Sequence, residues 1–378
     1  MTYVMKEKPF VPSCPMPAFS EKTPFPSKRE QRLLKSTTDV IMFLLVSIFY
    51  ILKAVYKYLL PIKYKKQKEL RGEVALITGG GSGLGRLLAL RLAKLGVKIV
   101  LWDVSVQGVE ETKKLVTDVG GTVYGYKCDV SNEDDVYRVA KQTSQVAGDI
   151  TILINNAGVV SGQLLLDTPD YLIRRTFDVN VLAHFWTVKA FLPSMIENQH
   201  GHIVTVASMA GHAGINKLVD YCASKFATIG FDEALRVELE AQGIKGVITT
   251  AVCPYFISAT GMFDSVESRF LPRLDSCDVA DRIVEGIQAN ETMVLIPGWF
   301  RLGLILKSLI PWTVLSLFLR GLVPDAAPHQ ATLPKVATKE EEDDSEEELR
   351  SLPINRNNSI TGSMTQLTHR YSPTGKNL

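Results

Sequence analysis

The sequence predicts a doubly wound α/β domain on a mainly parallel sheet, and three observations lead to that prediction. Short apolar runs such as "VALITG" and "KIVLWD" have the length and composition of buried parallel strands. Between them, "RLLALRLAKLG" has helical apolar spacing and closes on Gly96. A glycine-rich turn, "TGGGSGLG", joins the first run to this helix, which is typical of a Rossmann-type sheet.

Further apolar runs continue the alternation over residues 72–298, which we expect to form a single domain. The later predicted strands are "VYGYKCDV", "ITILINNAG", "GHIVTVAS" and "IKGVITTAVCP", with helical stretches between them. The chain has 378 residues and an apolar fraction of 46%, which is enough for one large domain with an ample core.

The segment before this domain predicts a disordered front and a membrane anchor. Residues 1–36 are rich in Pro, Lys and Ser without an apolar period, so we expect disorder. Residues 37–62 contain an uncharged run, 40–52, followed by Lys53 and Lys57 one turn apart. At ~1.5 Å per residue such a helix could cross or enter a bilayer, with both lysines at one headgroup layer. A cleaved signal peptide and a buried core helix are weaker alternatives, because a long front precedes the run and "KYKKQK" follows it.

Two segments follow the domain. Residues 299–324 are apolar but Pro311 interrupts them, which indicates a second membrane-associated segment or a cover over an apolar pocket. The pattern does not separate these two interpretations. Residues 325–378 turn polar and contain "KEEEDDSEEE", so we expect a disordered acidic tail.

The charge distribution and the cysteines limit the classes of partner. The net charge is +2, but residues 1–71 hold 14 Lys and Arg against 5 Asp and Glu. Such a basic front favours an anionic surface such as lipid headgroups. Nucleic acid is disfavoured, because the basic residues flank an apolar run and do not alternate with stacking aromatics. The five cysteines lack metal-ligand spacing, which indicates no metal site and favours a reducing compartment.

The glycine-rich turn predicts a dinucleotide site. Glycines let the backbone approach a pyrophosphate, and the helix that begins near Leu84 points free N–H groups at the charge. Asp103 ends the second strand, 18 residues past Gly85, where a carboxylate accepts hydrogen bonds from ribose hydroxyls and repels a 2′-phosphate. NAD is therefore the predicted cofactor. Arg86 lies close enough to keep NADP possible, and a strand-end or helix-capping aspartate is the alternative interpretation of Asp103.

A tyrosine and a lysine, Tyr221 and Lys225, lie four residues apart in "YCASK". On a helix they share one face, so the ammonium would favour the ionised form of the phenol. An unaided phenol titrates near ~10 and is a poor proton acceptor at neutral pH. In isolation this pattern is more often two surface residues without chemistry.

Four motifs, taken together in their order along the chain, argue against the interpretation as surface residues without chemistry. They are T-G-x-x-x-G-x-G at 78–85, N-N-A-G at 155–158, Ser208 and Y-x-x-x-K at 221–225. Together they resemble the short-chain dehydrogenase/reductase family over residues 72–298. Longer stretches, among them "GSGLGRLLAL", "NNAGVVSG" and "DYCASKF", are similar to its membrane-bound retinol dehydrogenase branch, which includes lipid-droplet hydroxysteroid dehydrogenases.

The resemblance implies a role for each catalytic residue. Tyr221 would be the general acid/base, Lys225 would lower its pKa and hold the nicotinamide ribose, and Ser208 would bind the substrate oxygen. Asn180 would support a proton-relay water behind the lysine. The implied cofactor contacts are Thr78, Gly79, Ser82, Gly83, Leu84, Gly85, Asp103, Asp129, Val130, Asn155, Ala157, Gly158, Tyr221, Lys225 and Ile257. The stretch "CPYFISATGMF" carries one residue more than the pattern of the branch, so the register of Thr260 stays open.

The resemblance also implies a reaction and a setting. We expect a membrane-anchored oxidoreductase that transfers a hydride between a lipophilic alcohol, retinol first, and NAD, with NADP possible. Hydroxysteroids and long-chain alcohols are alternative substrates; a reductase using NADPH and a catalytically silent nucleotide-binding scaffold are alternative functions. The implied location is the endoplasmic reticulum membrane or a lipid droplet, with a cytosolic catalytic domain. We expect a homodimer through the helices carrying 180–193 and 221–240, and we predict His184 and Trp186 to be core or interface residues.

Overall fold

The computed structural model describes residues 37–59, 65–263, 266 and 271–322. The chain divides into two compact units, residues 1–328 and 329–378, and the second lies outside the described residues. The predictions of disorder at 1–36 and 325–378 also fall outside them and stay predictions.

Seven strands form one sheet at the centre of the first unit. The strands are β1 (Val74–Thr78), β2 (Lys98–Asp103), β3 (Val123–Lys127), β4 (Ile152–Asn155), β5 (Gly201–Val206), β6 (Val247–Pro254) and β7 (Met293–Ile296). Their order is β3-β2-β1-β4-β5-β6-β7, and every neighbouring pair is parallel. The predicted sheet is confirmed, and its order reverses between β1 and β4, where sheets of this class bind ligands at the carboxyl ends of the strands.

Helices alternate with these strands along the chain and cover both faces of the sheet. The helices are α1 (Thr37–Leu59), α2 (Gly83–Lys94), α3 (Val106–Asp118), α4 (Glu133–Ala147), α5 (Asp170–Phe177), α6 (Ala183–Glu197), α7 (Val219–Ala241), α8 (Ser276–Gln288), α9 (Phe300–Lys307) and α10 (Trp312–Leu322). Two 3-10 turns, Leu165–Asp167 and Met209–Gly211, and a π-helical turn, Asp178–Leu182, join them.

Alternating strand residues belong to two cores, one on each face of the sheet. On β2, Ile99 and Leu101 share a core with α2, α3 and α8, whereas Val100 and Trp102 share a core with α4, α6 and α7. All four side chains are fully buried. Burying one large apolar side chain contributes ~1.5–3 kcal/mol, so a slip of one residue in register would be very costly. The carboxyl ends of the strands are therefore rigid supports for a site.

The segment after α1 is tied to the amino end of the sheet. Lys65 pairs with Glu291 at 2.8 Å, and Arg282 binds the same carboxylate at 2.7 Å. The Lys68 ammonium lies 2.9 Å from Nδ1 of His202, and burial lowers the pKa of that ammonium. Two lysines of the basic front are therefore bound by the protein itself.

Helix α1 forms where the anchor was predicted, and α9 and α10 form within the apolar segment 299–324, separated by Pro311 as its sequence indicated. On α1, Phe49 is 62% exposed and Leu52 is 63% exposed. The predicted transmembrane helix is not confirmed: among the described residues, no helix combines the length and apolar content that crossing a bilayer requires.

Candidate active site

The glycine-rich turn lies between β1 and α2, at the carboxyl end of the sheet. Gly79 and Gly83 have φ of +65° and +50°, in the left-handed region that favours glycine. A Cβ on Gly85 would lie 2.2 Å from the carbonyl oxygen of Gly79, so no side chain fits there. The turn is thus folded tightly against the first turn of α2, whose free N–H groups suit a phosphate.

Asn156 holds this turn in place, and the sequence prediction missed it. Its Nδ2 donates to the carbonyl of Thr78 at 2.9 Å, and its backbone N–H donates to Oγ1 of Thr78 at 3.0 Å. The N–H of Ala157 donates to the same hydroxyl at 3.1 Å. The second asparagine of N-N-A-G was the available signal, and in the structure it binds the start of the glycine-rich turn.

Asn155 points into the core between β4 and α6. Its side chain is 1% exposed, and its Oδ1 accepts a hydrogen bond from Oγ1 of Thr187 at 2.8 Å. A side-chain contact between Asn155 and a cofactor is therefore not supported. Strand alternation explains the difference, because consecutive residues at a strand end face opposite sides.

The carboxylate of Asp103 accepts hydrogen bonds from two backbone N–H groups, one in the glycine-rich turn and one just after β2. Its Oδ2 accepts from the N–H of Gly81 at 2.9 Å, and its Oδ1 accepts from the N–H of Ser105 at 2.9 Å. Ser105, and not Asp103, caps helix α3, through a hydrogen bond from the N–H of Gly108 at 3.1 Å. Asp103 is thus not the cap of α3, the alternative of a structural strand-end aspartate stays open, and its carboxylate lies beside the glycine-rich turn.

Arg86 is close to the turn but is already engaged. Its guanidinium donates to Oε2 of Glu111 at 2.8 Å, to Oγ1 of Thr112 at 3.0 Å and to the carbonyl of Gly81. A cation paired in this way would have to leave Glu111 to meet a 2′-phosphate. The guanidinium of Arg86 is therefore paired within the fold.

The segment after β3 places Asp129 at the surface and Val130 in the core. Oδ1 of Asp129 accepts from the N–H of Ser131 at 3.0 Å and from its hydroxyl at 2.6 Å. The other carboxylate oxygen is available for a ligand on this side of the sheet, and the predicted adenine contact stays a prediction.

Tyr221 and Ser208 meet above the carboxyl ends of β5 and β6. Tyr221 is 5% exposed and lies in the first turn of α7. Oγ of Ser208 accepts from the N–H of Ala210 at 3.1 Å, so Ser208 caps a 3-10 turn, and it also hydrogen-bonds the Tyr221 phenol. Ser208 therefore caps the turn, as the alternative interpretation had it, and its catalytic role stays a prediction that this position allows.

Lys225 lies one turn along α7 and is 3% exposed. Its Nζ donates to the carbonyl of Val206 at 2.9 Å and lies 5.6 Å from the centroid of the Tyr221 ring. Burial lowers the pKa of the Lys225 ammonium to about 8, so the group is mostly charged at neutral pH.

The pKa of Tyr221 moves in the direction opposite to the prediction. Burial raises this pKa above that of an ordinary phenol, and the hydrogen bond with Ser208 opposes the rise only in part. Spacing alone predicted that the charge of Lys225 would be the largest influence on the pKa of Tyr221. The effect of desolvation on this pKa is larger, because apolar side chains surround the tyrosine.

Asn180 lies in the π-helical turn and joins two parts of the site. Its Oδ1 accepts from the N–H of Val159 at 2.8 Å, and its Nδ2 donates to the carbonyl of Val159 at 2.9 Å and to Oγ of Ser224 at 3.0 Å. At Gly158 an added Cβ would lie 3.4 Å from Oδ1 of Asn180 and 3.7 Å from Nζ of Lys225. Asn180 thus stands next to the lysine, as predicted, and π-turns of this kind often mark functional sites.

An apolar cap covers Tyr221; we define it as Tyr255, Phe256, Phe263 and Phe300. The ring of Phe263 packs edge-to-face on Tyr221 at 5.5 Å, and Phe256 packs on Phe263 at 5.1 Å. Tyr255 connects Phe256, at 4.9 Å, to Phe300, at 5.5 Å. The sequence motifs did not reveal this cap, because its members come from a loop and from α9.

In the loop after β6, Ala259 has a φ of +56°, in the left-handed region. Ile257 forms a bridge with Leu274. Thr260 lies against the glycine-rich turn, because its carbonyl oxygen would be 3.2 Å from a Cβ on Gly83. Thr260 therefore lies beside the predicted nucleotide site, and its register against the pattern of the branch stays open.

His184 is a core residue, as predicted. It is 2% exposed, packs edge-to-face on Phe231 at 6.0 Å, and burial followed by the charge of Lys225 lowers its pKa to about 3. Trp186 packs in part against the core of α4, α6 and α7. In the part of the chain that the structure describes, no group of His, Cys, Asp and Glu could hold a metal ion.

Known proteins share much of this sequence and fold. The profile of the family described as short chain dehydrogenase matches residues 73–269. Epidermal retinol dehydrogenase 2 of Homo sapiens is 48% identical over 282 residues, which cover 74% of this chain and 90% of that protein. Estradiol 17-beta-dehydrogenase 11 of Rattus norvegicus is 42% identical over 289 residues, covering 76% of this chain and 96% of that protein. The crystal structure of a short chain dehydrogenase/reductase from Burkholderia phymatum in complex with NAD is similar with a TM-score of 0.59 and 29% identity, covering 66% of this chain and 96% of that chain.

Proposed function

Because the chain belongs to the short-chain dehydrogenase family, we propose that it oxidises a lipophilic alcohol at a membrane surface, with retinol as the leading substrate. The chain is an NAD(P)-dependent oxidoreductase that acts on CH–OH groups. The observation that supports a lipophilic substrate is the apolar cap, which packs on the Tyr221 ring through Phe263. An alcohol that approaches Tyr221 must therefore present an apolar body.

The nucleotide site fits a nicotinamide dinucleotide. Gly85 leaves no room for a side chain beside Gly79, and the carboxylate of Asp103 lies at the end of β2. The backbone N–H groups of 82–85 would hold the pyrophosphate, Asp103 the ribose hydroxyls, and Asp129 with Val130 the adenine. The cofactor supplies the hydride acceptor for the carbinol carbon, and the chain's own groups handle the proton.

Three side chains would manage that proton. Ser208 would bind the substrate oxygen and hold it within reach of the Tyr221 hydroxyl. Tyr221 would accept the proton in oxidation and return it in reduction. Lys225, mostly charged at neutral pH, would stabilise the phenolate that oxidation requires. Burial raises the pKa of Tyr221 and lowers that of Lys225 to about 8, so we expect the oxidation rate to rise with pH only up to about 8, where Lys225 loses the charge that stabilises the phenolate; cofactor absorbance follows the rate.

The relatives' names support two substrate classes, retinol and the 17-hydroxysteroid estradiol. The test is a panel of retinol, a hydroxysteroid and a long-chain alcohol, assayed with the full chain in membrane fractions by the rise in NADH absorbance. We expect the highest kcat/KM with retinol. A clear preference for the steroid would make the hydroxysteroid, and not retinol, the proposed substrate. If no alcohol is turned over, the proposed activity is wrong and the catalytically silent scaffold is the remaining function.

The cofactor preference can be tested at Asp103. We expect the unaltered protein to prefer NAD, and Asp103→Ala to lower kcat/KM with NAD by ~10–100-fold, the worth of a charged hydrogen bond. The value with NADP should fall much less, because its 2′-phosphate gains nothing from the carboxylate. Asp118→Ala removes an exposed aspartate from the end of α3 and serves as the matched control. Equal use of NAD and NADP by the unaltered protein would contradict the preference.

The proposed membrane surface includes α9 and α10. The exposed fractions are 63% for Leu302, 76% for Leu309 and 70% for Trp312. Residues 299–322 contain basic side chains and no acidic ones, which complements anionic headgroups. Phe300 joins the apolar cap from the same helix, so lipid contact here would bring the pocket entrance to the oily phase. Helix α1 would add a second lipid contact, and the endoplasmic reticulum or a lipid droplet is the proposed location.

Vesicle binding tests this surface. Each of Leu302→Asp and Leu309→Asp is expected to weaken binding of the full chain to phosphatidylserine-containing vesicles by about tenfold or more, since ~1.5–3 kcal/mol of burial is lost. Co-sedimentation measures the effect. Val146→Asp alters an equally exposed apolar residue on α4 and should change nothing. Unchanged binding of both α9–α10 variants would exclude this segment from the membrane surface.

We also propose that two chains pair through α6 and α7. Phe185 on α6 is 41% exposed, and Phe226 and Val237 on α7 are 46% and 60% exposed. Burial of these side chains against a second copy would be favourable. Light scattering of the detergent-solubilised chain measures the state directly, and a monomer would refute the pairing.

A further inference from the structure

A buried carboxylate immediately precedes the catalytic tyrosine. Asp220 is 5% exposed and lies in the first turn of α7. Its Oδ1 accepts from Oγ of Ser161 at 2.7 Å, and its Oδ2 accepts from Oγ1 of Thr176 at 2.9 Å. Ser161 and Thr176 are themselves 4% and 1% exposed, so this contact lies in the interior of the protein.

The two hydroxyls of Ser161 and Thr176 are the main groups that stabilise the Asp220 carboxylate. Among the ion pairs of the described residues none involves Asp220, and its place in the first turn of α7 sets it at the positive end of the helix dipole. An isolated buried carboxylate costs several kcal/mol unless hydrogen bonds satisfy it. Both of its oxygens are satisfied by hydroxyls from outside α7, so the two hydroxyls and the carboxylate depend on each other.

The two hydroxyls come from two different parts of the pocket wall. Ser161 ends the segment that leaves β4, in which Val159 is bound by Asn180 and Val160 packs beside Tyr221. Thr176 lies on α5, one residue before its end. The carboxylate therefore ties the start of α7 to α5 and to the segment that runs past the catalytic residues.

From this geometry we propose that Asp220 is a positioning residue that sets where the Tyr221 hydroxyl stands relative to Ser208. The proposal rests on the proposed function, because it assigns Asp220 to the same proton-transfer step. Tyr221 follows Asp220 directly, so a carboxylate held between two fixed hydroxyls limits both the rotation and the translation of the first turn of α7. A displacement of about 1 Å at a reacting group can cost ~100-fold in rate.

The test compares Asp220→Ala, Asp220→Asn and Ser161→Ala in the full chain. We expect Asp220→Ala to lower kcat with the best alcohol by ~10–100-fold, while KM for the cofactor stays within about twofold. Asp220→Asn keeps the shape and one acceptor, so it should recover much of the lost kcat. Because Ser161 acts through the same contact, Asp220→Ala combined with Ser161→Ala should be no worse than Asp220→Ala alone.

A second measurement does not depend on turnover. With 3-fluorotyrosine incorporated at position 221, Asp220→Ala should shift or broaden the fluorine resonance, and the matched control Asp278→Ala, in the first turn of α8, should not. An unaltered protein that turns over no alcohol would defeat the proposed function, yet the resonance would still decide the position of Tyr221. The inference is overturned if Asp220→Ala leaves the resonance in place, or leaves kcat within about twofold of the Asp278→Ala control.

Discussion

Tyr221→Phe is expected to reduce alcohol oxidation by ~10²–10⁴-fold, the range over which a positioned acid/base group contributes to rate. The change removes one oxygen atom from a residue that is 5% exposed and packed on Phe263, so the ring keeps its contacts. It also removes the partner of Ser208, which then retains the N–H of Ala210. The measurement is kcat with the best alcohol, together with cofactor affinity from the quenching of protein fluorescence.

Cofactor affinity separates this loss from unfolding. The glycine-rich turn and Asp103 do not contact the Tyr221 hydroxyl, so binding of NAD should stay within about threefold of the unaltered value. Tyr124→Phe removes a phenol from β3, away from the site, and is the matched control. A catalytically silent scaffold predicts no turnover in the unaltered protein and hence no loss on substitution. Retained activity in Tyr221→Phe would transfer the acid/base role to another group.

The residues that carry chemistry could be placed from the sequence because their motifs have fixed spacing on regular elements. Y-x-x-x-K puts Tyr221 and Lys225 on one turn of α7, and Ser208 follows β5 at the same end of the sheet. The doubly wound parallel sheet was also accessible, since alternating strands and helices leave few topologies open, whereas the strand order came from the structure. Periodicity was enough for the sheet and its helices, whereas the roles of the site residues came from the family resemblance of the four motifs and stay predictions.

The electrostatics of the site could not be obtained from spacing. The pKa of Tyr221 depends on how completely apolar side chains enclose it, and those side chains come from residues 255–263 and from α9. Likewise, only the burial of Asp220 distinguishes it from the exposed aspartates elsewhere in the chain. Burial is a property of the assembled fold, so a single sequence does not display it.

The two asparagines of N-N-A-G also show that a sequence motif does not tell which way a side chain points. The motif marks the place, but the roles of Asn155 and Asn156 depend on which face of β4 each side chain takes. The parallel pairing of Asn155 with Thr205 sets that choice, so Asn155 enters the core and Asn156 binds the glycine-rich turn. A shift of one residue in the end of the strand would exchange them.

Lys225→Met is expected to abolish most activity and, at neutral pH, to remove an electrostatic cost from the fold. Loss of the charge beside Tyr221 should lower kcat by ~100-fold or more, as for other preorganised charges. Burial lowers the pKa of Lys225 to about 8, so holding the ammonium in the fold costs stability at pH 7. With an ordinary value near ~10.4, that cost is about 3 kcal/mol. The methionine side chain has a similar length. It leaves the carbonyl of Val206 without a hydrogen-bond donor, and this loss cancels ~1–3 kcal/mol of the stability gained by removing the charge.

The pH dependence of stability isolates the charge from the lost hydrogen bond. Between pH 8 and 10.5 the folded protein releases the Lys225 proton while the unfolded chain keeps it, so the unaltered protein gains stability as the pH rises. The Met variant has no such proton to release. Urea unfolding at pH 7, 8, 9 and 10 should therefore show the unaltered protein gaining up to ~3 kcal/mol relative to Lys225→Met. Lys141→Met, at an exposed position on α4, is the control and should leave both activity and the pH trend unchanged. The alternative outcome is that the difference in free energy of unfolding between the unaltered protein and Lys225→Met stays constant with pH. Lys225 would then not be held as a buried cation, and its role beside Tyr221 would have to be steric.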